Sequence, residues 1–376
     1  MDFRDSPEEA EFRDRLRAWL DDNNPHLPPS STSDEYWEKQ PDWHRSLHRG
    51  GFFGLTWPVE YGGHGMPSAY DVIVDEELSR AGAPPRPGLG YLVQAVLHHA
   101  DDEVKRRFLP GLINGRERWC QGFSEPDAGS DLASLRTRAV LDGDEYVISG
   151  HKVWTSYSDL ADWCFLLART DPGAPKHKGL SAFALRMDQP GVEQRPLRMI
   201  NGITREFGEV TFDAARVPAD DMIGEPGDGW RVAMTVLSHE REPQELGNAS
   251  RYTKTAKQLT DLVRADPGSF TDEQRRDLAW AIVEADMLAH LVNRRLSDRL
   301  DGVEHGPDGS IDKLLNTWVE QSVGHAALSI GGCAHDGGDP SMLNTYLYSR
   351  AQSVMGGTSQ IQKNLIARRI LGLPTS

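Results

Sequence analysis

Four segments hold residue types whose order could do chemistry. The first, Gln121-Gly-Phe-Ser-Glu-Pro-Asp-Ala-Gly-Ser-Asp131, sets the hydroxyls of Ser124 and Ser130 among glycines and a proline. Such a run makes a compact loop whose backbone N–H groups and hydroxyls can hold a flat polar ring or a phosphate. A plain surface turn has the same composition. The second, Gly150-His-Lys-Val-Trp-Thr-Ser-Tyr-Ser-Asp-Leu-Ala-Asp162, puts Trp154 beside Thr155 and Ser156. It suits the wall of an aromatic cofactor and equally a core tryptophan on a strand. The third, Gly356-Gly-Thr-Ser-Gln-Ile-Gln-Lys-Asn364, reads as a turn opening a last helix, with Thr358 and Gln360 at its start. Helix N-termini favour anionic or hydrogen-bond-accepting ligands; an ordinary capped helix reads the same way. The fourth, Trp230 to Arg241, is a helical pattern with an apolar face and a polar end, and Pro243 would stop it. That leaves Glu240 either facing a cleft or paired with Arg241 in solvent.

The elements that must position these segments fall into three blocks. The first is helical. Ser6-Pro7-Glu8-Glu9 is a capping box with proline at the first helical position, and Phe12, Leu16, Trp19 and Leu20 follow at helical spacing. A Pro- and Ser-rich loop is expected from Pro25 to Ser33, then helices over Trp43 to Phe53, Tyr70 to Ala81 and Asp101 to Leu112. From Trp119 to about Gly224 short apolar runs alternate with turn signals. Arg138 to Gly150 reads as a hairpin about Asp142-Gly143; Trp163 to Arg169, Leu180 to Arg186 and Phe207 to Phe212 read as strands. Helical periodicity returns after Gly229, with apolar faces at Leu278, Ile282, Ala285, Leu288, Ala289 and Val292, and at Ile311, Leu314, Leu315, Trp318 and Val319. The order implies an α+β protein in three domains, at 1–118, 119–226 and 227–376.

Composition excludes several classes. A net charge of −16 argues against general nucleic-acid binding, since the chain would repel phosphate. No run of about 18 apolar residues suggests a membrane span, and the start MDFRDSPEEAEF has neither the basic nor the apolar region of a signal peptide. Cys120, Cys164 and Cys333 have no metal-like spacing and no disulfide framework. A cytoplasmic enzyme with reduced thiols and no metal is the expectation.

Taken together and in order, the four segments resemble the acyl-CoA dehydrogenase family over nearly the whole chain. Trp57-Pro-Val-Glu-Tyr-Gly-Gly63 and Glu225-Pro-Gly-Asp-Gly-Trp230 add to the likeness, which is closest to a bacterial branch whose chains open with MDFRDSPEE-type sequences. The resemblance implies an N-terminal α-helical domain, a middle β-barrel-like domain and a C-terminal four-helix bundle. It implies FAD, held by Gln121, Phe123, Ser124, Gly129, Ser130, Trp154, Thr155, Ser156, Thr358 and Gln360, with Ser156 near flavin N5. Ser130 and Arg241 would lie along the pantetheine arm of an acyl-CoA thioester.

The implied reaction is α,β-dehydrogenation to the trans-2-enoyl-CoA. A carboxylate removes the α-proton, hydride leaves the β-carbon for flavin N5, and polarisation of the thioester carbonyl makes the α-proton acidic enough. Many family members carry the base as a Glu just before the Gly-Thr of the last segment. Gly356 stands there in this chain. A minority arrangement places the base on the earlier helix before an Arg, and Glu240-Arg241 matches it. Glu240 is therefore the expected base, with Gly356 supplying its backbone N–H to the carbonyl. Glu242 is the rival, about 200° away around the helix.

Two family features are absent: an Arg-x-x-Phe-Gly segment around Asp266 to Gln274, and a Gly-Gly-x-Gly-Tyr segment, near whose place Gly331-Gly-Cys-Ala-His-Asp-Gly-Gly338 stands. The resemblance implies an electron-transfer flavoprotein as acceptor, and a homodimer, a homotetramer or a heteromer with a related subunit. Two other readings share the fold: an enzyme acting on a carrier-protein-bound acyl group, and a non-catalytic partner subunit that completes another chain's flavin site.

Overall fold

The computed structural model describes residues 5–28, 33–239, 244–300, 303, 306–332 and 340–374. They divide into two compact units. One is helical, drawn from Met1–His26, Pro67–Pro85 and Arg241–Ser376; the other is mixed, drawn from Leu27–Met66 and Arg86–Glu240.

The helical unit begins with α1 (Pro7–Asn23). Its capping box is complete: the Ser6 N–H donates to the Glu9 carboxylate at 2.7 Å, and the Glu9 N–H donates to Ser6 Oγ at 3.2 Å. Phe12, Leu16 and Leu20 form the buried stripe. Helix α3 (Ala69–Arg80) packs on α1 and on α7 (Gln244–Ala265). The bundle is completed by α8 (Asp272–Leu300), α9 (Gly309–Gly331) and α10 (Pro340–Ser349). Its core runs through Tyr252, Leu259, Leu278, Ala285, Leu288, Val292, Val319 and Val323. The first apolar face expected after Gly229 contributes to it, as do Leu315 and Val319 of the second, whereas Trp318, expected on that second face, is half exposed.

The mixed unit holds α2 (Asp34–Gly50), α4 (Gly90–His99), α5 (Asp102–Ile113) and eight strands. Helix α2 starts nine residues before the expected Trp43, and Pro41 lies inside it. Pro41 lacks an N–H and reads as a break. Ser33 caps the Glu35 N–H, and burial of Tyr36, Trp37, Trp43 and Leu47 offsets the lost bond. Helix α4 has no counterpart among the expected helices, although its buried Leu92, Val93, Ala95 and Val96 fall at helical spacing, with Gln94 half-buried and His98 exposed.

The strands are β1 (Trp119–Gly122), β2 (Arg138–Asp142), β3 (Glu145–Ser156), β4 (Trp163–Arg169), β5 (Leu180–Arg186), β6 (Val192–Leu197), β7 (Phe207–Pro218) and β8 (Met222–Ile223). They form one sheet in the order β6-β7-β3-β2-β4-β5-β8, with β1 pairing parallel to β4. The β2–β3 hairpin turns where expected, Asp142 pairing with Glu145. Ile148, Cys164, Leu166, Phe183, Leu185, Val210 and Val217 fill the core on one face. Strand β6 escapes a periodicity reading because, paired only to β7, it is nowhere buried. Strand β7 runs on past the expected end at Phe212 to Pro218, paired to β3.

Among the described residues, no helix is long and apolar enough to cross a membrane, and no group of three or more His, Cys, Asp or Glu side chains could hold a metal ion.

Candidate active site

The first two motif segments meet in the mixed unit. Strand β1 ends at Gly122, where a side chain would collide with Cys164 Sγ 2.6 Å away on β4. The chain then crosses to the end of β3, where the Val153 N–H donates to the Ser124 carbonyl at 3.0 Å. Phe123 is buried beside Phe165, while Ser124 and Gln121 are half-buried and Gly129 and Ser130 exposed.

Strand β3 changes its geometry at the same place. Its pairing with β7 slips between Lys152, opposite Val210, and Thr155, opposite Gly208. At the slip Trp154 has φ of +60°, a left-handed conformation that a bulky residue rarely adopts. A bulge re-aims a side chain, and here it leaves Trp154 62% exposed, with Phe207 edge-on at 6.2 Å. Next to it, Thr155 is fully buried and its hydroxyl has no hydrogen-bond partner among the described residues. An exposed indole on a strained bulge beside an unsatisfied hydroxyl makes this end of β3 a candidate ligand surface. Tyr157, also at φ +60°, closes the turn with its ring 4.7 Å from that of Trp37.

The loop is anchored by two residues that motif reading passed over. Lys152 is fully buried, and its ammonium donates to the Phe123 carbonyl at 3.0 Å and to the Glu125 carboxylate at 2.9 Å. Glu125 also accepts the Arg136 and Thr137 N–H groups, at 2.7 and 2.8 Å. Burial pushes the Glu125 carboxyl up, but the Lys152 charge and these donors outweigh it, leaving it below the usual carboxylate range. Burial lowers the Lys152 ammonium, against the pull of Glu125. A signal for Lys152 existed: it shares strand parity with the inward-facing Tyr146 and Ile148.

The third segment lies in the helical unit. Gly356 and Gly357 have φ of +63° and +87° and turn the chain into α11 (Ser359–Leu365). Thr358 caps that helix, its hydroxyl accepting the Ile361 N–H at 3.2 Å. The fully buried Gln362 amide donates to the Gly356 carbonyl at 3.0 Å and ties turn to helix. Thr358 is half-buried; Gly356 and Gln360 are exposed. A π-helical turn, Ile366–Ile370, follows.

The fourth segment supplies α6 (Gly229–His239) in the mixed unit, with Gly229, Val232, Ala233 and Val236 buried. Its start is pressed onto β5, so that a Cβ on Gly229 would sit 2.6 Å from Ser181 N. His99 Nε2 lies 2.7 Å from Thr235 Oγ1 and links α4 to α6. Glu240, Arg241, Glu242 and Pro243 lie outside the described residues.

Comparisons with known proteins agree along the chain. Residues 6–116, 120–215 and 227–371 match the N-terminal, middle and C-terminal domain models of acyl-CoA dehydrogenase. The chain is 39% identical to acyl-CoA dehydrogenase IpdE1 of Mycobacterium tuberculosis, covering 97% of each chain. It is 35% identical to acyl-CoA dehydrogenase FadE34 of the same organism over 86% of this chain and 45% of that one. Among solved structures, the Tcur3481-Tcur3483 steroid ACAD superposes with a TM-score of 0.86 at 28% identity, covering all of both chains. The ChsE4-ChsE5 complex of M. tuberculosis superposes with a TM-score of 0.83 at 27% identity, also over all of both.

Proposed function

The chain belongs to the acyl-CoA dehydrogenase family, and from that premise we propose that it converts an acyl-CoA thioester to the trans-2-enoyl-CoA with Glu240 as the base. It is an acyl-CoA dehydrogenase, and its cofactor is FAD. The residues on β3 fit that cofactor: Trp154 stands outward at the bulge, and the buried Thr155 hydroxyl lacks a partner among the described residues. This is the observation that carries the reading. Ser124, Trp154, Thr155 and Ser156 would border the isoalloxazine from the mixed unit, with Gln121, Phe123, Gly129 and Ser130 along the same loop. Thr358 and Gln360 are further FAD contacts in this reading. FAD, when bound, supplies the hydride acceptor for the substrate β-carbon.

The chain's own residues do the rest. Glu240 takes the α-proton. The Gly356 N–H donates to the thioester carbonyl and stabilises the charge that grows there as the proton leaves. With no side chain at 356, the base must come from elsewhere, and Glu240 directly precedes an Arg, as in the minority arrangement of the family. Arg241 and Ser130 hold the pantetheine arm. The domain limits we propose are 1–118, 119–226 and 227–376.

We further propose that the chain works as a dimer or larger assembly and passes electrons to an electron-transfer flavoprotein. Two structures it resembles are named as two-chain assemblies, which supports a heteromer with a related subunit.

The test is an anaerobic visible spectrum of the purified protein before and after adding acyl-CoA thioesters. The panel runs from short straight chains to steroid side-chain thioesters, the latter because one neighbour is named a steroid ACAD. Bleaching of the oxidised flavin band by one thioester is the expected result. A colourless protein that FAD does not reconstitute would turn the reading to a non-catalytic partner subunit.

A further inference from the structure

We propose that Lys152 is a positioning residue for FAD binding, its ammonium holding the 121–130 loop against the end of β3 so that both present one surface to the flavin. The inference rests on the reading that these segments border FAD. Lysine is rarely buried unless paired, and Lys152 is fully so. Its two acceptors both lie on the loop: the Phe123 carbonyl, next to Ser124, and the Glu125 carboxylate. Two residues further along β3 stands Trp154 on its bulge.

The arrangement is more than an ion pair. Glu125 also accepts two backbone N–H groups, Arg136 on one carboxylate oxygen and Thr137 on the other, so its position is fixed from the sheet side as well. The Phe123 carbonyl accepts the Lys152 ammonium, and the neighbouring bond from the Val153 N–H to the Ser124 carbonyl also ties loop to strand there. Lysine thus bridges the two segments, whereas Glu125 mainly keeps lysine charged and in place. Loss of the bridge would let Ser124 drift from Trp154 and Thr155 while the sheet core stays packed.

Breaking one partner of a buried pair strands a charge and destabilises the fold; removing both charges together is often close to neutral. This separates positioning from stability. Lys152→Met alone, and Glu125→Gln with Lys152→Met, are compared with the wild-type holoenzyme. Each protein is stripped of flavin and titrated with FAD by fluorescence, and its melting temperature is recorded. The single variant is expected to melt earlier and bind FAD at least about tenfold more weakly, the size of one lost charge-assisted hydrogen bond. The double variant is expected to recover part of the melting temperature, because the glutamine oxygen can accept only one of the two backbone N–H groups that the carboxylate held, but not the FAD affinity, and to show an altered visible band shape for the bound flavin. Recovery of affinity together with melting temperature overturns the proposal, as does wild-type FAD affinity in the single variant. Failure of both variants to fold assigns the pair to core stability and overturns it too. A wild-type protein that binds no FAD refutes instead the reading on which the inference rests.

Discussion

Moving the base within the site tests the assignment of Glu240 and Gly356 together. A positioned general base contributes roughly 10²- to 10⁴-fold, so Glu240→Gln should slow flavin reduction by that factor while leaving the protein folded and yellow. Gly356→Glu then offers a carboxylate at the position many family members use. The turn can accept it. A Cβ on Gly356 meets only Lys313 Cε at 3.8 Å, an ordinary contact. The cost is the left-handed φ of +63°, about 1–2 kcal/mol for a residue with a side chain. That is a fall of a few degrees in melting temperature. Stopped-flow reduction under anaerobic conditions reads the outcome, using the thioester that bleaches the wild type. The double variant should regain at least about tenfold of the rate lost in Glu240→Gln. If Glu240→Gln reduces at the wild-type rate, the base is elsewhere and Glu242 is next to test. A double variant that is folded, yellow and no faster than Glu240→Gln would refute the placement of residue 356 at the reacting carbons.

Trp154→Ala should leave the melting temperature almost unchanged, since the side chain is 62% exposed, but weaken FAD binding several-fold through loss of an aromatic wall; unchanged affinity would remove Trp154 from the site. Gly357→Ala would set a Cβ 2.6 Å from Gln362 Nε2 at φ +87°, breaking the bond that ties turn to helix. The expected loss is about 1–3 kcal/mol by urea denaturation, and a neutral effect would show that the turn can relax. His44 gives a pH signature. Burial brings its pKa down from 6.5 to about 4, although its Nε2 bond to the Ile113 carbonyl favours the charged form. Below pH 6.5 the unfolded chain takes up a proton that the folded one refuses, so this contribution to stability falls between pH 6.5 and 4 and then levels off. Urea midpoints across that range should show the slope in the wild type and a flatter curve in His44→Gln; parallel curves would contradict it.

Local rules reached far into this chain. The capping box at Ser6 and Glu9, the Asp142-Gly143 hairpin and the strand runs at Trp163 and Leu180 depend on neighbours in sequence, so their residues declare them. Motif order was enough to identify the family, because a cofactor surface needs particular residue types in a particular succession. Other features depend on contacts between distant residues. Helix α2 continues through Pro41 because tertiary burial of Tyr36, Trp37 and Trp43 outweighs a missing backbone bond. The bulge that turns Trp154 outward arises from a register slip against β7, which lies more than fifty residues away in sequence. The bridge from Lys152 to Phe123 and Glu125 likewise needs β3 and the loop after β1 to be neighbours in the sheet unit. A sequence lists which side chains are available; burial of a charge and strain at one residue become visible only when the fold sets what surrounds them.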